Sequence, residues 1–384
     1  MLKVAVGHST DLDSSDAIAE VLDQCQMILA GATPTAGILL AAIDFEHQLI
    51  LQRILETFPE LTLIGGTTDG EISSVLGFEQ DSLLLMLFSC DRIHITSGIG
   101  TQVSIDMPAA IKAAVSMAIK YHSDPIQFCL TLPESLTTSA AQIVETLKQM
   151  LGPQVPIFGG LTADQWRFQQ TYQFFQDQVY CDAVPLLLFS GPVLFAHGVA
   201  SGWRPIGKKG CITRADQHIV YEIDGKPAID FYKYYLGPLP PSSEYPLAVL
   251  ASNEEVLYMR APSGLYEPNS GSINFFGDVP EGSIVQITEA SRDRILSASQ
   301  ASMQHALQNY PGQSPAVALF FSCTSRRQIL GSRTWEEYQL VKANLEDSLP
   351  GFGFYTNGEI APLQQRGLTY FHNETFLTLL IGEA

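Results

Sequence analysis

The 384-residue chain carries 21 basic and 40 acidic side chains, a net charge of −19, and is 46 % apolar but only 16 % charged. Gripping phosphate backbones takes clustered Lys and Arg, so the charge balance excludes a nucleic-acid surface, and the apolar share excludes disorder. Six cysteines at 25, 90, 129, 181, 211 and 323 form no CxxC pair and the eight histidines are dispersed, which argues against a disulfide framework, a metal site or a bound cofactor.

In chain order, MLKVAVG opens with an apolar run too short for a signal peptide, so a cytoplasmic protein is expected. A strand at 2–6 leads into a helix with Ile18, Val21, Leu22, Cys25 and Leu29 on one face. GILLAAI (37–43) then reads as a buried strand, and Leu51, Ile54, Leu55 and Phe58 as a helical stripe. A glycine turn, LTLIGGTTDGEI (61–72), and the strand SLLLMLFS (82–89) follow. The series returns as IQFCLTL (126–132), the stripe Ala140, Ile143, Val144, Leu147, the turn VPIFGGLTADQW (155–166) and VPLLLFSG (184–191). The apolar stretch 183–200 is interrupted by Pro185, Gly191 and Pro192, so it reads as two short strands rather than a membrane span. A break at 205–217 leads to short β-rich runs at about 218–290, punctuated by Asp224-Gly225 and the prolines at 238–241, which read as a β meander. After a helix at 291–309 the series comes a third time: AVALFFS (316–322), the stripe Trp335, Tyr338, Val341, Leu345, the turn LPGFGFYTNGEI (349–360) and TFLTLLIG (375–382).

Aligned on Gly65, Gly159 and Gly353, the three turns share Gly-x-x-Thr, ending at Thr68, Thr162 and Thr356. The repeated strand–helix–turn–strand unit predicts a mixed α/β fold on mixed sheets with the β-rich segment inserted. The expected domains are 1–210, holding two units, and 211–384, holding the meander, a helix and the third unit.

Several motifs fall short of a chemistry. Gly202-Trp-Arg-Pro-Ile-Gly207-Lys208-Lys209 resembles a phosphate loop but has Lys209 where Ser or Thr is needed, and strand rather than helix follows. In the glycine turns, Asp69-Gly70 and Asn357-Gly358 serve chain reversal equally well as binding. The binding reading adds Tyr355, Asn357 and Glu359, and in the first copy Thr67, Thr68, Asp69 and Glu71. The segment 320–337, FFSCTSRRQILGSRTWEE, gathers Arg326, Arg327 and Arg333 after a strand end, the pattern of a carboxylate trap or of a solvated basic loop. Cys323 is expected to be a small buried group near the ligand rather than a nucleophile. Thr334-Trp-Glu-Glu337 reads as a capping box.

SCTSRRQILG followed by GFYTNGEIAPL resembles the C-terminal half of the FIST proteins, VYEIDGKPAIDFYKYYLG (220–237) the opening of that half, and IGGTTDGEI and SGWRPIG the N-terminal half. The resemblance implies a sensory module of FIST N and FIST C parts that binds small ligands such as amino acids, often fused to kinases, chemoreceptors or diguanylate cyclases. No output domain follows the C-terminal half here, so a separate signalling partner such as a kinase or chemoreceptor is expected. The sequence reading is thus a non-catalytic sensor of an amino acid or other small carboxylate, with Arg326 or Arg333 on the carboxylate and Glu359 on the ammonium. An enzyme using Cys323 or Glu359, and a ligand-free scaffold, are the alternatives.

Overall fold

The computed structural model describes residues 2–120, 124–252, 255–346, 348–365 and 367–384. Unit one comprises β1 (Lys3–Ser9), α1 (Ser14–Leu29), β2 (Ala36–Ala41), α2 (His47–Thr57), β3 (Thr62–Thr67), the hairpin β4 (Glu71–Ser73) and β5 (Gly77–Glu79), and β6 (Leu83–Ser89). Unit two repeats it as β7 (His94–Thr101), α3 (Met107–Ile119), β8 (Ile126–Thr131), α4 (Ala140–Leu151), β9 (Ile157–Gly160), β10 (Gln173–Phe175), β11 (Gln178–Tyr180) and β12 (Ala183–Ser190). Unit three starts at β13 (Val193–Ala200) and is interrupted by the inserted module. That module holds β14 (Arg204–Pro205), β15 (Gly210–Asp216), β16 (Ile219–Ile223), β17 (Lys226–Pro227), α5 (Ala228–Leu236), β18 (Leu247–Leu250), β19 (Val256–Arg260), β20 (Pro262–Tyr266), β21 (Ile273–Phe275) and β22 (Ile284–Glu289). The unit resumes with α6 (Arg292–Asn309), β23 (Val317–Cys323), α7 (Thr324–Leu330), α8 (Thr334–Lys342), β24 (Gly351–Thr356), β25 (Glu359–Pro362), β26 (Thr369–His372) and β27 (Phe376–Glu383).

Each unit builds one six-stranded sheet, but none builds it alone. The orders are β1-β6-β2-β3-β10-β11, β7-β12-β8-β9-β25-β26 and β13-β27-β23-β24-β4-β5. In every case the central pair is parallel (β2·β3, β8·β9, β23·β24) and the remaining pairings are antiparallel. The hairpin after each glycine turn crosses to a neighbouring sheet: β4–β5 to the third, β10–β11 to the first and β25–β26 to the second. The exchange is cyclic. Backbone contacts close the ring, with Asp69 N donating to Tyr355 O, Ala163 N to Thr67 O and Leu161 N to Gly358 O.

The repeated glycine has a steric cause. A Cβ on Gly65, Gly159 or Gly353 would lie 2.0, 1.9 and 2.2 Å from the carbonyl oxygens of Leu39, Thr131 and Phe320, their partners across the parallel pair. A second glycine set is equally regular and was not part of the expected repeat. Gly7, Gly98 and Gly198, on the first strand of each unit, let the carbonyls of Val21, Ala114 and Ser302 on the following helix approach to 2.4, 1.9 and 2.0 Å of the position a Cβ would take.

Strands buried on both faces explain the near-continuous apolar runs. On β6, Leu84, Met86 and Phe88 face a central core shared by all three sheets, while Leu83, Leu85 and Leu87 face α1 and α2. On β12, Leu187 and Phe189 face the centre, and Leu186 and Leu188 face α3 and α4. Helices therefore clothe the outside of three sheets packed face to face. The 183–200 stretch is two strands as expected, β12 and β13, each in a different sheet. The 218–290 segment is mainly antiparallel strand around its own core, with α5 as an unexpected helix. Strands cross residue 210 in both directions, since β4, β5 and β13 complete the third sheet and β25 and β26 the second. Among the described residues no helix is long and apolar enough to cross a membrane.

Candidate functional site

The carboxyl ends of β8, β9, β23 and β24 point toward the inserted module, and between them lies a cavity of about 420 Å³. Crevices beyond strand carboxyl ends are the usual ligand positions in α/β sheets, and the volume falls within the roughly 300–1,000 Å³ of small-molecule sites. The core contributes the loop 135–140, Leu161, Cys323, Thr324, Ser325, Asn357 and Asn373. The module contributes Gln217, His218, Ser263, Leu265 and residues 274–278. Asp278 ties the two together: its Oδ2 accepts from Ser139 Oγ at 2.9 Å, at the N-cap of α4, while its buried Oδ1 has no hydrogen-bond partner.

The second glycine turn departs from the other two here. Instead of an Asp-Gly or Asn-Gly reversal, it runs through a longer loop into which Asp164, 1 % exposed, folds back. The Asp164 carboxylate accepts from the backbone amides of Phe168, Gln169 and Gln170. Gln165, Trp166 and Phe168 all take left-handed backbone conformations, with φ of 57°, 63° and 48°. Such strain persists only where the surroundings hold it, and it collects at binding sites. Here it presents Trp166 and Phe168 to the cavity, edge to face at 5.5 Å, with Phe168 stacked at 5.9 Å on Phe276 of the module.

Behind Cys323 lie two buried carboxylates. Glu359 Oε2 accepts from Thr375 N and Oγ1 at 3.1 and 2.6 Å, but Oε1 has no partner. Glu374 sits at φ 61° with neither oxygen in a hydrogen bond of normal geometry, eased only by the Ser325 hydroxyl and the Arg326 charge. Burial pushes Glu374 up to about 8 and Glu359 well above the usual carboxylate range. Burial, reinforced by both carboxylates, also pushes the Cys323 thiol well above its ordinary value. That is the opposite of what a thiolate nucleophile requires.

The arginine trap expected after β23 is not assembled. Arg326 is among the largest fully buried side chains, with its guanidinium saturated by Glu337 Oε1, Ser299 Oγ and the carbonyls of Ser201 and Ile295. A group with every nitrogen hydrogen-bonded within the protein and no exposed surface cannot take a ligand carboxylate. Arg333 faces outward, paired with Asp293 and Glu336. Arg327 spans to the first glycine turn, contacting the Asp69 carbonyl and carboxylate. Tyr355 is also buried, its hydroxyl donating to Glu337 Oε2 at 2.6 Å. Glu337 is no capping residue: Arg333 is the N-cap of α8, and Thr334 Oγ1 donates to Gly331 O. Trp335 points to solvent at 53 % exposure rather than into the stripe, because Glu337 and Tyr338 occupy the inner face.

Of the sequence candidates, Cys323 and Asn357 do line the cavity, Asn357 donating to Ser135 Oγ at 3.0 Å, and Glu359 lies behind. In the first turn, Thr67 Oγ1 accepts from Tyr172 N, and Thr68 and Ser82 donate to Glu71, which burial still raises to about 7. Asp69 accepts from Thr324 Oγ1, a cavity residue, and is raised to about 7 because burial outweighs its Arg327 contact. Sequence reasoning missed Trp166, Phe168, Asp278 and Glu374. The missing Asp/Asn-Gly pair in the second turn was the one available signal. Among the described residues no group of three or more His, Cys, Asp and Glu is placed to hold a metal ion.

The chain is similar to an uncharacterized protein of Mycobacterium tuberculosis, 24 % identical over 388 residues covering 94 % of this chain and 95 % of the relative. An uncharacterized protein of Mycobacterium bovis is 23 % identical over 392 residues, with 95 % of each covered. Among solved structures, the cyanuric acid hydrolase of A. caulinodans aligns over 100 % of this chain and 99 % of its own at 9 % identity and a TM-score of 0.41. The FIST N domain model matches residues 35–226 and the FIST C domain model residues 228–362. The chain belongs to the FIST family, whose domains are generally sensory modules associated with small ligands.

Proposed function

We propose that this protein is a non-catalytic sensor that binds a small molecule in the cavity between the inserted module and the ends of β8, β9, β23 and β24, and signals through a separate protein. The observation that carries the reading is the cavity's construction. A strained loop contributes aromatic side chains, and a core shared by two units and the inserted module contribute polar ones, around one partly open cavity. A raised thiol at Cys323 favours binding over turnover. Since the module supplies one wall, a ligand touching both sides would alter how the module sits on the core, which gives a route from occupancy to a partner.

The test is a thermal-melting panel of small metabolites, repeated on Asn357→Leu, which removes a lining amide. A ligand that binds only the folded state adds RT ln(1 + [L]/Kd), about 2.7 kcal/mol at a hundredfold excess over Kd, which amounts to several degrees in melting temperature. A hit whose shift is lost in Asn357→Leu supports the reading. No shift from any compound at millimolar concentration would favour a ligand-free scaffold, and a hit unaffected by Asn357→Leu would move the site elsewhere.

A further inference from the structure

We infer that the cavity is selective for an organic cation, a ligand bearing a substituted ammonium group, over neutral molecules and carboxylates; the inference rests on the cavity being the ligand site. Three observations converge. Among the described lining residues none is Lys or Arg, although the surrounding segment 320–337 carries three arginines, each engaged elsewhere. The wall built by the strained second turn and the module is aromatic, with Phe168 in contact with both Trp166 and Phe276. Asp278, a residue of the lining, keeps one buried oxygen without a hydrogen-bond partner.

Ring faces attract cations through their quadrupole within about 6 Å of the centroid, most strongly where water is excluded. A carboxylate oxygen with no donor is costly to bury, and an ammonium group would relieve that cost. An anion would meet that oxygen with no Lys or Arg in the described lining, Arg260 behind it being engaged with the carbonyls of Asp278, Met259 and Phe371. The arrangement therefore discriminates by charge twice, through attraction at the rings and Asp278 and through repulsion of acids.

The experiment compares three molecules of one shape on the full-length protein: choline, its uncharged carbon analogue 3,3-dimethylbutan-1-ol, and 3,3-dimethylbutanoate. Binding is read by quenching of tryptophan fluorescence and by melting temperature at fixed ionic strength, and Trp166→Phe assigns the quench. Choline should bind at least tenfold more tightly than the alcohol, with the acid weakest. Asp278→Asn should bring choline down to the affinity of the alcohol, and Thr138→Lys, which places a cation in the lining, should abolish choline binding. Ligand-free melting of both variants checks that they fold, and because they act by different means, loss of one leaves the other decisive. Equal binding of choline and the alcohol, or tighter binding of the acid, would overturn the cation inference while leaving a small-ligand cavity standing. No response to choline in the presence of another, Asn357-dependent hit would also overturn it alone. No response to any compound would remove both readings.

Discussion

Arg326 and Glu337 form a wholly buried ion pair, Nη2 to Oε1 at 2.7 Å with both side chains at zero exposure, joining α7 to α8 beneath the cavity wall. Every remaining polar atom of the pair is satisfied: Glu337 also accepts from Ser299, Ser322 and Tyr355, and Arg326 donates to backbone carbonyls at Ser201 and Ile295. Burying two charges is costly, so such a pair is poor evidence of net stabilisation, but removing one partner strands the other in a dry interior.

Arg326→Ala should therefore destabilise the fold by about 3–5 kcal/mol, and Arg326→Lys should recover only part because an ammonium cannot reproduce the fork of donors. Arg333→Ala, whose partners Asp293 and Glu336 sit at the surface, should cost less than about 1 kcal/mol. Urea unfolding of the three variants separates them. An Arg326→Ala protein as stable as the parent would mean that the pair is not buried as described.

The glycine repeat makes a second prediction. Gly65→Ala, Gly159→Ala and Gly353→Ala should each be destabilising, because each new Cβ would press within about 2 Å of a strand carbonyl that the parallel pairing holds in place. Overpacking of this kind costs roughly 1–3 kcal/mol or more. Three melting curves suffice, and a variant melting within a degree of the parent would remove that position from the set.

These two cases show which features the sequence exposes. The glycine turns and apolar strands were legible because local geometry and two-sided burial fix residue type at regular positions, as at Gly65, Gly159 and Gly353. The hairpin exchange was not, since nothing in GEIS at 70–73 says that Glu71 will pair with Phe354 rather than with its own unit. The arginine cluster was misread for the same reason. Arg326 reaches Ser201 and Ile295, 125 and 31 positions away, and adjacency in sequence made the three arginines look like a carboxylate trap. Cys323 and Asn357 were legible because strand ends and Asn-Gly turns mark the rim of a sheet. Glu374 was not, because its burial depends on the packing of β26 and β27 rather than on any local motif.

Buried acids give the protein a directional pH dependence. Asp69 and Glu71 are raised to about 7 and Glu374 to about 8, all chiefly by burial. Between the ordinary carboxylate values and these, the folded protein keeps protons that the unfolded chain has released. Stability should therefore be fully present below about pH 4, as far as these groups are concerned, and fall as pH rises through 7 to 8. A fully titrating group loses about 1.4 kcal/mol per pH unit across its window. Urea midpoints should decline from pH 5 to pH 8.5, and Glu374→Gln, which mimics the protonated form, should flatten the upper part of that decline. A midpoint that climbs over this range would contradict the burial of these carboxylates.

The last prediction concerns thiol chemistry. Cys181 is exposed, whereas Cys323 is 3 % exposed with its thiol pushed up by burial and by Glu359 and Glu374. Attack on a disulfide or maleimide reagent proceeds through the thiolate, so at pH 7.5 Cys181 should label first and Cys323 should stay unmodified until the protein is unfolded. Cys323→Ser should leave ligand affinity within a few-fold, because the thiol acts as a small wall group of the cavity rather than a nucleophile. Peptide mapping after a short exposure reads the order directly. Rapid, selective modification of Cys323 in the native protein would show an activated thiolate and revive the enzymatic reading of the site.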